Sequence, residues 1–241
     1  PGAPEICDGL DNDCDGLADE APNRWQNTIG GSGNEFFGLT KPTGDGGYIV
    51  GGTSNSNISG DKTENSRGAS DFWVLKLDAA GDIVWQKTIG GSAAETLSDL
   101  SQTADGGYIL AGHSASPTSG DKTEDNMGGR DFWILKLDAM GNIEWQNTIG
   151  GSGDEGTPKI SQTADGGYIL AGTSNSNTSG DKTEDGLGED DIWAIRLDAS
   201  GNILWQNTIG GSQAEVVRSV EQTPDGSYVI GSQSDSNISG D

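Results

Sequence analysis

With 241 residues the chain is long enough to bury a sizeable core, yet only 31% of it is hydrophobic, 40 residues are Gly and the formal net charge is −25. Such acidity argues against nucleic acid and anionic membrane surfaces, because phosphate contacts need clustered Lys and Arg, and it is compatible with divalent cations. No run of about 20 apolar residues exists to cross a membrane as a helix, and no secretory signal is visible.

The first element is "EICDGLDNDCDGLADE" (5–20), with carboxylates at Asp8, Asp11, Asp13, Asp15, Asp19 and Glu20. At that density the carboxylates repel one another unless a cation sits among them. Asp11, Asp13 and Asp15 are spaced as positions 1, 3 and 5 of an EF-hand loop. Gly16 falls at position 6, Leu17 at the backbone-oxygen position 7 and Asp19 at position 9. Pro22 stands where the bidentate Glu of a true EF-hand belongs, so Glu20 or Asp8 must complete the shell. Hard oxygen donors favour Ca²⁺ over zinc or copper. Cys7 and Cys14 are the only cysteines, and their spacing is not the C-x₂-C of zinc and redox sites. A pair would indicate an oxidising compartment, free thiols a reducing one.

This stretch closely resembles the short Cys-Asp-Gly metal-binding repeat of many secreted bacterial proteins, some from myxobacteria and some from methane oxidisers. The resemblance implies a small calcium-organised loop with a Cys7–Cys14 disulfide. A copper role is described for one relative of this type, but the extra ligands it would need are not visible here.

Everything from residue 22 onward is periodic. "SGDKTE" stands at 59–64, 119–124 and 179–184, and its first three residues return at 239–241. "SQTADGGYILAG" occurs at 101–112 and 161–172, and Trp25, Trp85, Trp145 and Trp205 lie 60 residues apart. Self-similarity at one fixed period marks a repeat architecture. The chain therefore divides into an acidic motif, 1–21, and a repeat region, 22–241, of about four units.

Within one unit the elements read as strands. "ETLSDLSQT" (95–103) is a weak strand, joined by the hairpin signal "ADGG" to a second at 107–113. "DFWILKL" (131–137) is apolar on both faces apart from Lys136, as a strand between two layers should be. "LDAMGN" is a tight turn with Gly141 free to take positive φ, leading into an alternating strand at 142–149. Residues 24–29 repeat that last strand. Four short antiparallel strands per unit predict an all-β fold, a β-propeller of four-stranded blades, with a β-solenoid as the alternative. The final unit stops before its third strand, so the strand count predicts a protein that continues past Asp241.

The unit "DGGYILAGTSNSNTSGDKTED…DIWAIRLDASGNILWQNTIGGS" resembles a repeat family of large secreted proteins of the Bacteroidota, usually exported by the type IX route. That resemblance implies an extracellular or cell-surface location and no single activity. The hexapeptide has two readings. Asp61 and Glu64, with Asp71 nearby, would bind a cation or ligand once per unit; or the loop is packed, its polar side chains bonding backbone, which is the favoured reading.

No catalytic constellation is found. Glu189, Asp190 and Asp191 cluster in one unit only, and His113 is the single histidine. Trp73, Trp85, Trp133, Trp145, Trp193 and Trp205 recur at strand positions and read as core rather than sugar platforms. The expectation is a non-catalytic, calcium-binding structural or adhesive module of a cell-surface or filament assembly. Its expected partners are copies of itself or filament neighbours. The alternative is a lectin-like, glycan-binding module or an accessory to a secreted degradative enzyme.

Overall fold

In the computed structural model, which describes residues 25–236, the repeats fold into fourteen strands with no helix among the described residues. The first sheet is β1 (Glu35–Pro42), β2 (Tyr48–Ser54), β3 (Asp71–Leu77) and β4 (Ile83–Ile89). The second is β5 (Glu95–Gln102), β6 (Tyr108–Ser114), β7 (Asp131–Leu137) and β8 (Ile143–Ile149). The third is β9 (Glu155–Gln162), β10 (Tyr168–Ser174), β11 (Asp191–Leu197) and β12 (Ile203–Ile209); β13 (Glu215–Gln222) and β14 (Tyr228–Ser234) form a hairpin. Every sheet is an antiparallel meander in chain order.

Turn chemistry sets these hairpins. In the β5–β6 turn, Asp105 Oδ1 accepts from Thr103 Oγ1 at 2.5 Å and from the Gly107 amide at 2.9 Å. Gly106 there has φ 85, and Gly141 in the β7–β8 turn has φ 80, a region that side-chain-bearing residues rarely enter.

The third strand of each full sheet is buried on both faces. From β7, Trp133, Leu135 and Leu137 pack with Phe72, Val74 and Ile49 of the first sheet. Phe132 and Ile134 pack with Trp193 and Leu170 of the third. Phe72 and Trp133 rings lie 5.2 Å apart, and Phe132 and Trp193 rings 5.8 Å apart, so one contact is used twice. Each such side chain, wholly withdrawn from water, contributes on the order of 1.5–3 kcal/mol.

Polar clasps close the same interface at both ends. The Gly44, Ala104 and Ala164 amides, each in a β-turn, donate to Gln102, Gln162 and Gln222 of the following unit. At the other end the Ala69 amide donates to the Ala93 carbonyl, and the Glu95 amide to the Ser70 carbonyl at 2.9 Å.

Two expectations change. Residues 25–30 form no strand, because no neighbouring strand pairs with them. Their side chains still keep the repeat's contacts: Asn27 Nδ2 donates to the Gly81 carbonyl at 2.7 Å, as Asn147 Nδ2 does to Gly201. The tryptophans also divide into two kinds. Trp73, Trp133 and Trp193 are fully buried, but Trp85 and Trp145 are half-buried and Trp205 is 41% exposed. These three stand on the outermost strand, edge-on to Tyr108, Tyr168 and Tyr228, and cap the core rather than fill it.

Candidate functional site

Asp8, Asp11, Asp13, Asp15, Leu17, Asp19, Glu20, Cys7 and Cys14 lie outside the described residues. Among the described residues no cluster of three or more His, Cys, Asp or Glu side chains is arranged to hold a metal ion.

The hexapeptide is a packed loop. Ser119 and Lys122 exchange both backbone hydrogen bonds across Gly120, whose φ is 58. Asp121 Oδ2 accepts from the Gly90 amide at the end of the previous sheet, at 3.1 Å. Glu124 Oε2 accepts from the Thr148 amide at 2.6 Å, and Ser119 Oγ from the Ser92 amide at 2.9 Å. Lys122 is fully buried and donates to the Glu124 carbonyl at 2.6 Å. The loops at 59–64 and 179–184 make the same bonds. The hexapeptide thus staples one unit to the next and offers no open carboxylate pair. Burial pushes Asp121 and Asp181 above the usual carboxylate range.

Behind each staple lies a buried carboxyl pair that the sequence reading did not identify. Asp131 and Glu155 are both fully buried and touch across the second and third sheets. Asp131 Oδ2 accepts from the Met127 amide at 2.6 Å, while Oδ1 faces no donor. Burial, then the neighbouring Glu155, push the Asp131 carboxyl up to about 7. Asp71 with Glu95 and Asp191 with Glu215 occupy the equivalent places. This accounts for Asp191, whose neighbours Glu189 and Asp190 are not drawn into any cluster with it.

His113 lies in β6, 9% exposed, with Nδ1 unpartnered; burial first, then Arg130, lower it to about 4. It is a neutral core imidazole and no part of a triad.

A site does emerge where the repeats differ. The first strands of all four units, β1, β5, β9 and β13, line one cavity of about 360 Å³. Each carries a β-bulge, with the pairing slipping at Gly38, Ser98 and Arg218 and across Thr157 and Pro158. Lys41, Asp99, Lys159, Arg218 and Glu221 are its charged residues. Asp99 accepts from the Ile160 amide at 3.1 Å and the Leu100 amide at 3.0 Å; burial raises it, and those amides and Lys159 hold it partly down.

The comparisons with known proteins are limited. Residues 1–20 match the family model "Putative metal-binding motif" (Cu-binding MopE). No curated protein is significantly similar in sequence. Two solved structures of an ACO/RPE65 chimera resemble the chain weakly. One, a point variant in a trigonal crystal form, has 12% identity and a TM-score of 0.43, covering 77% of this chain and 41% of that one. The other has 14% identity and a TM-score of 0.39, covering 72% of this chain and 37% of that one. The chain spans about two fifths of their length, and at this similarity neither their fold nor their activity transfers. The family-model match is thus confined to residues 1–20, where it is to a motif described as "Putative metal-binding".

Proposed function

We propose that the chain is a metal-organised scaffold without catalysis of its own. In this reading residues 1–21 are a calcium-holding motif and residues 22–241 are blades of a β-propeller displayed outside the cell, assembling with copies or surface neighbours. The observation that carries it is the hexapeptide staple. The most strictly repeated polar residues of the chain are consumed in its own packing: Asp61, Asp121 and Asp181 accept from the end of the preceding unit, and Glu64, Glu124 and Glu184 brace the last strand of their own sheet. A chain whose repeated chemistry serves stacking is built as a scaffold.

The motif's donor set supports calcium. Asp8, Asp11, Asp13, Asp15, Asp19 and Glu20 supply hard carboxylate oxygens, and the Leu17 carbonyl adds another. The family name points to copper, which favours imidazole and sulfur donors; in this reading the motif's two sulfurs, Cys7 and Cys14, are joined in a disulfide and offer no thiolate. The single histidine, His113, is buried in β6 and neutral. Bound calcium would neutralise the repulsion among these carboxylates and order a stretch with little apolar material of its own.

Calorimetric titration of the full chain with Ca²⁺ and, separately, with Cu²⁺ tests the assignment. The expected result is a Ca²⁺ site in the range of extracellular modules, about 10⁻⁴–10⁻³ M, weakened at least tenfold by Asp13→Ala and by Asp15→Ala. Copper binding in preference to calcium, or calcium binding unchanged in both variants, would overturn it.

A further inference from the structure

The inner-strand cavity is lined by residues at which the units differ, as they also do in the loop that follows the hexapeptide. At repeat-equivalent positions stand Gly38, Ser98, Pro158 and Arg218; Leu39, Asp99, Lys159 and Ser219; and Lys41, Ser101, Ser161 and Glu221. The third strands, by contrast, read DFWVLKL, DFWILKL and DIWAIRL. A duplicated unit keeps what sheet packing needs, so this divergence marks residues under a different requirement.

The basic residues sort the same way. The chain has 13 Lys and Arg, of which Arg24 lies outside the described residues, leaving 12. Lys62, Lys122 and Lys182 are buried in the hexapeptide staples. Lys76, Lys136 and Arg196 pair with Asp45, Asp105 and Asp165 beneath the turns. Arg67, Arg130 and Lys87 reach Asp121, Asp154 and Asn142 of the following unit or its border. The three that remain, Lys41, Lys159 and Arg218, all line the cavity, and none has a basic counterpart in another unit.

Local geometry adds two observations. A bulge in each inner strand re-aims the side chains that follow it, a device common beside binding sites. Thr157, two residues before Lys159, has φ 48, the one non-glycine residue at positive φ among the described residues. For a β-branched residue this is a strained conformation, which persists when the surrounding structure imposes it and which clusters at ligand sites.

The geometry points to this cavity as a binding site for a small hydroxylated anion, a sugar acid or a sugar phosphate. About 360 Å³ lies at the lower end of ligand-pocket size and fits one sugar residue. Lys41 and Arg218 are exposed residues of the lining; Arg218 uses one Nη2–H on Gln233 Oε1 at 3.1 Å and keeps its others, and Lys159 uses one N–H on the Ser98 carbonyl, at 2.6 Å, and keeps two. The Thr40, Ser101, Ser161 and Ser219 hydroxyls line the same space and make no side-chain hydrogen bond among the described residues, so they are available to sugar hydroxyls. Asp99, already served by two amides, and Glu221 are the two opposing carboxylates, set against three basic residues.

Titration of the full chain with galacturonate, glucose 6-phosphate and the neutral sugars galactose and glucose, at low and at physiological salt, tests the site. At least one of the two acids should bind about tenfold or more tighter than its neutral sugar, the advantage shrinking with salt. The tighter acid identifies the anionic group. The double variant Lys41→Gln, Arg218→Gln should lose about tenfold in acid affinity at unchanged melting temperature. Glu221→Gln, an independent variant on an exposed position, should tighten acid binding severalfold. Equal binding of acid and neutral sugars would overturn the proposal. So would a folded double variant that binds as the parent does, or a Glu221→Gln variant that binds no tighter.

Discussion

Replacing Gly112 by Ala tests how tightly one sheet is fitted to the next. A Cβ at Gly112 would stand 2.4 Å from Phe72 Cζ and 2.4 Å from the Thr96 carbonyl oxygen. Favourable carbon contacts lie at about 3.5–4.0 Å, so the neighbours must retreat by about 1 Å or more. Neither can do so freely. The Phe72 ring is held against Trp133 at 5.2 Å, and Thr96 O is backbone in the β5–β6 ladder. Overpacking of this kind costs about 1–3 kcal/mol, and relief of glycine's unfolded-state entropy returns about 0.5–1 kcal/mol. A net loss of about 1 kcal/mol follows, which for a chain of this size lowers Tm by about 2–4 °C. Thermal unfolding followed by far-ultraviolet circular dichroism reads this directly. Gly38→Ala is the control: nothing lies within 4 Å of its Cβ and it should unfold within about 1–2 °C of the parent. Phe72→Leu should relieve part of the clash, giving a non-additive double-mutant cycle with coupling above about 0.5 kcal/mol. If Gly112→Ala melts with the Gly38→Ala control, or the cycle is additive, the sheets are not interlocked through this contact.

Two further outcomes follow from the electrostatics. Because the folded Asp131 carboxyl is raised from 3.8 to about 7, its contribution to stability is full below the unfolded value and is lost as pH rises through about 7. Asp131→Asn keeps an acceptor for the Met127 amide and supplies a donor to Glu155. It should therefore raise Tm at pH 8 and leave it unchanged near pH 4; the reverse order would refute the raised Asp131 carboxyl. Lys136→Met should cost less than about 1.5 kcal/mol despite ion pairs to Asp105 and Glu144 at 2.9 Å, as measured by urea unfolding. Both carboxylates are about half exposed and rehydrate when the ammonium is removed.

Much of the architecture was legible because the period repeats each local signal. A single DFWILKL is ambiguous between a buried strand and a short helix segment; three copies followed each time by a Gly turn are not. The inner strand read as weak for a physical reason. In a regular strand Leu97 and Leu100 would face opposite sides, but the bulge at Ser98 flips the parity and both are buried. Val217 and Val220 repeat this across Arg218. The same slip hid the cavity, since its residues follow the bulge and share no type. The carboxyl pairs were equally hidden: Asp131 and Glu155 are 24 residues apart, and nothing in either neighbourhood announces that two acids will be buried against each other.

A unit that stacks on its own copy must be key and lock at once. The face carrying Phe72 has to fit the face carrying Gly112 and Trp133, and Phe132 has to fit Gly172 and Trp193. A change on one face therefore fails unless the receiving face changes in every copy it meets. The last interface departs on both sides together: Ile192 of the third unit replaces the Phe, and Ser232 of the fourth stands at the glycine position. The inner strand escapes this coupling on its cavity side. There a residue meets no copy of its own unit's opposite face but the corresponding strands of the other units across open space. Substitution on that surface has no packing cost to another sheet. This is why Lys41, Lys159 and Arg218 can each appear once, and why a binding surface on this scaffold should be sought among unrepeated residues rather than in its most regular motif.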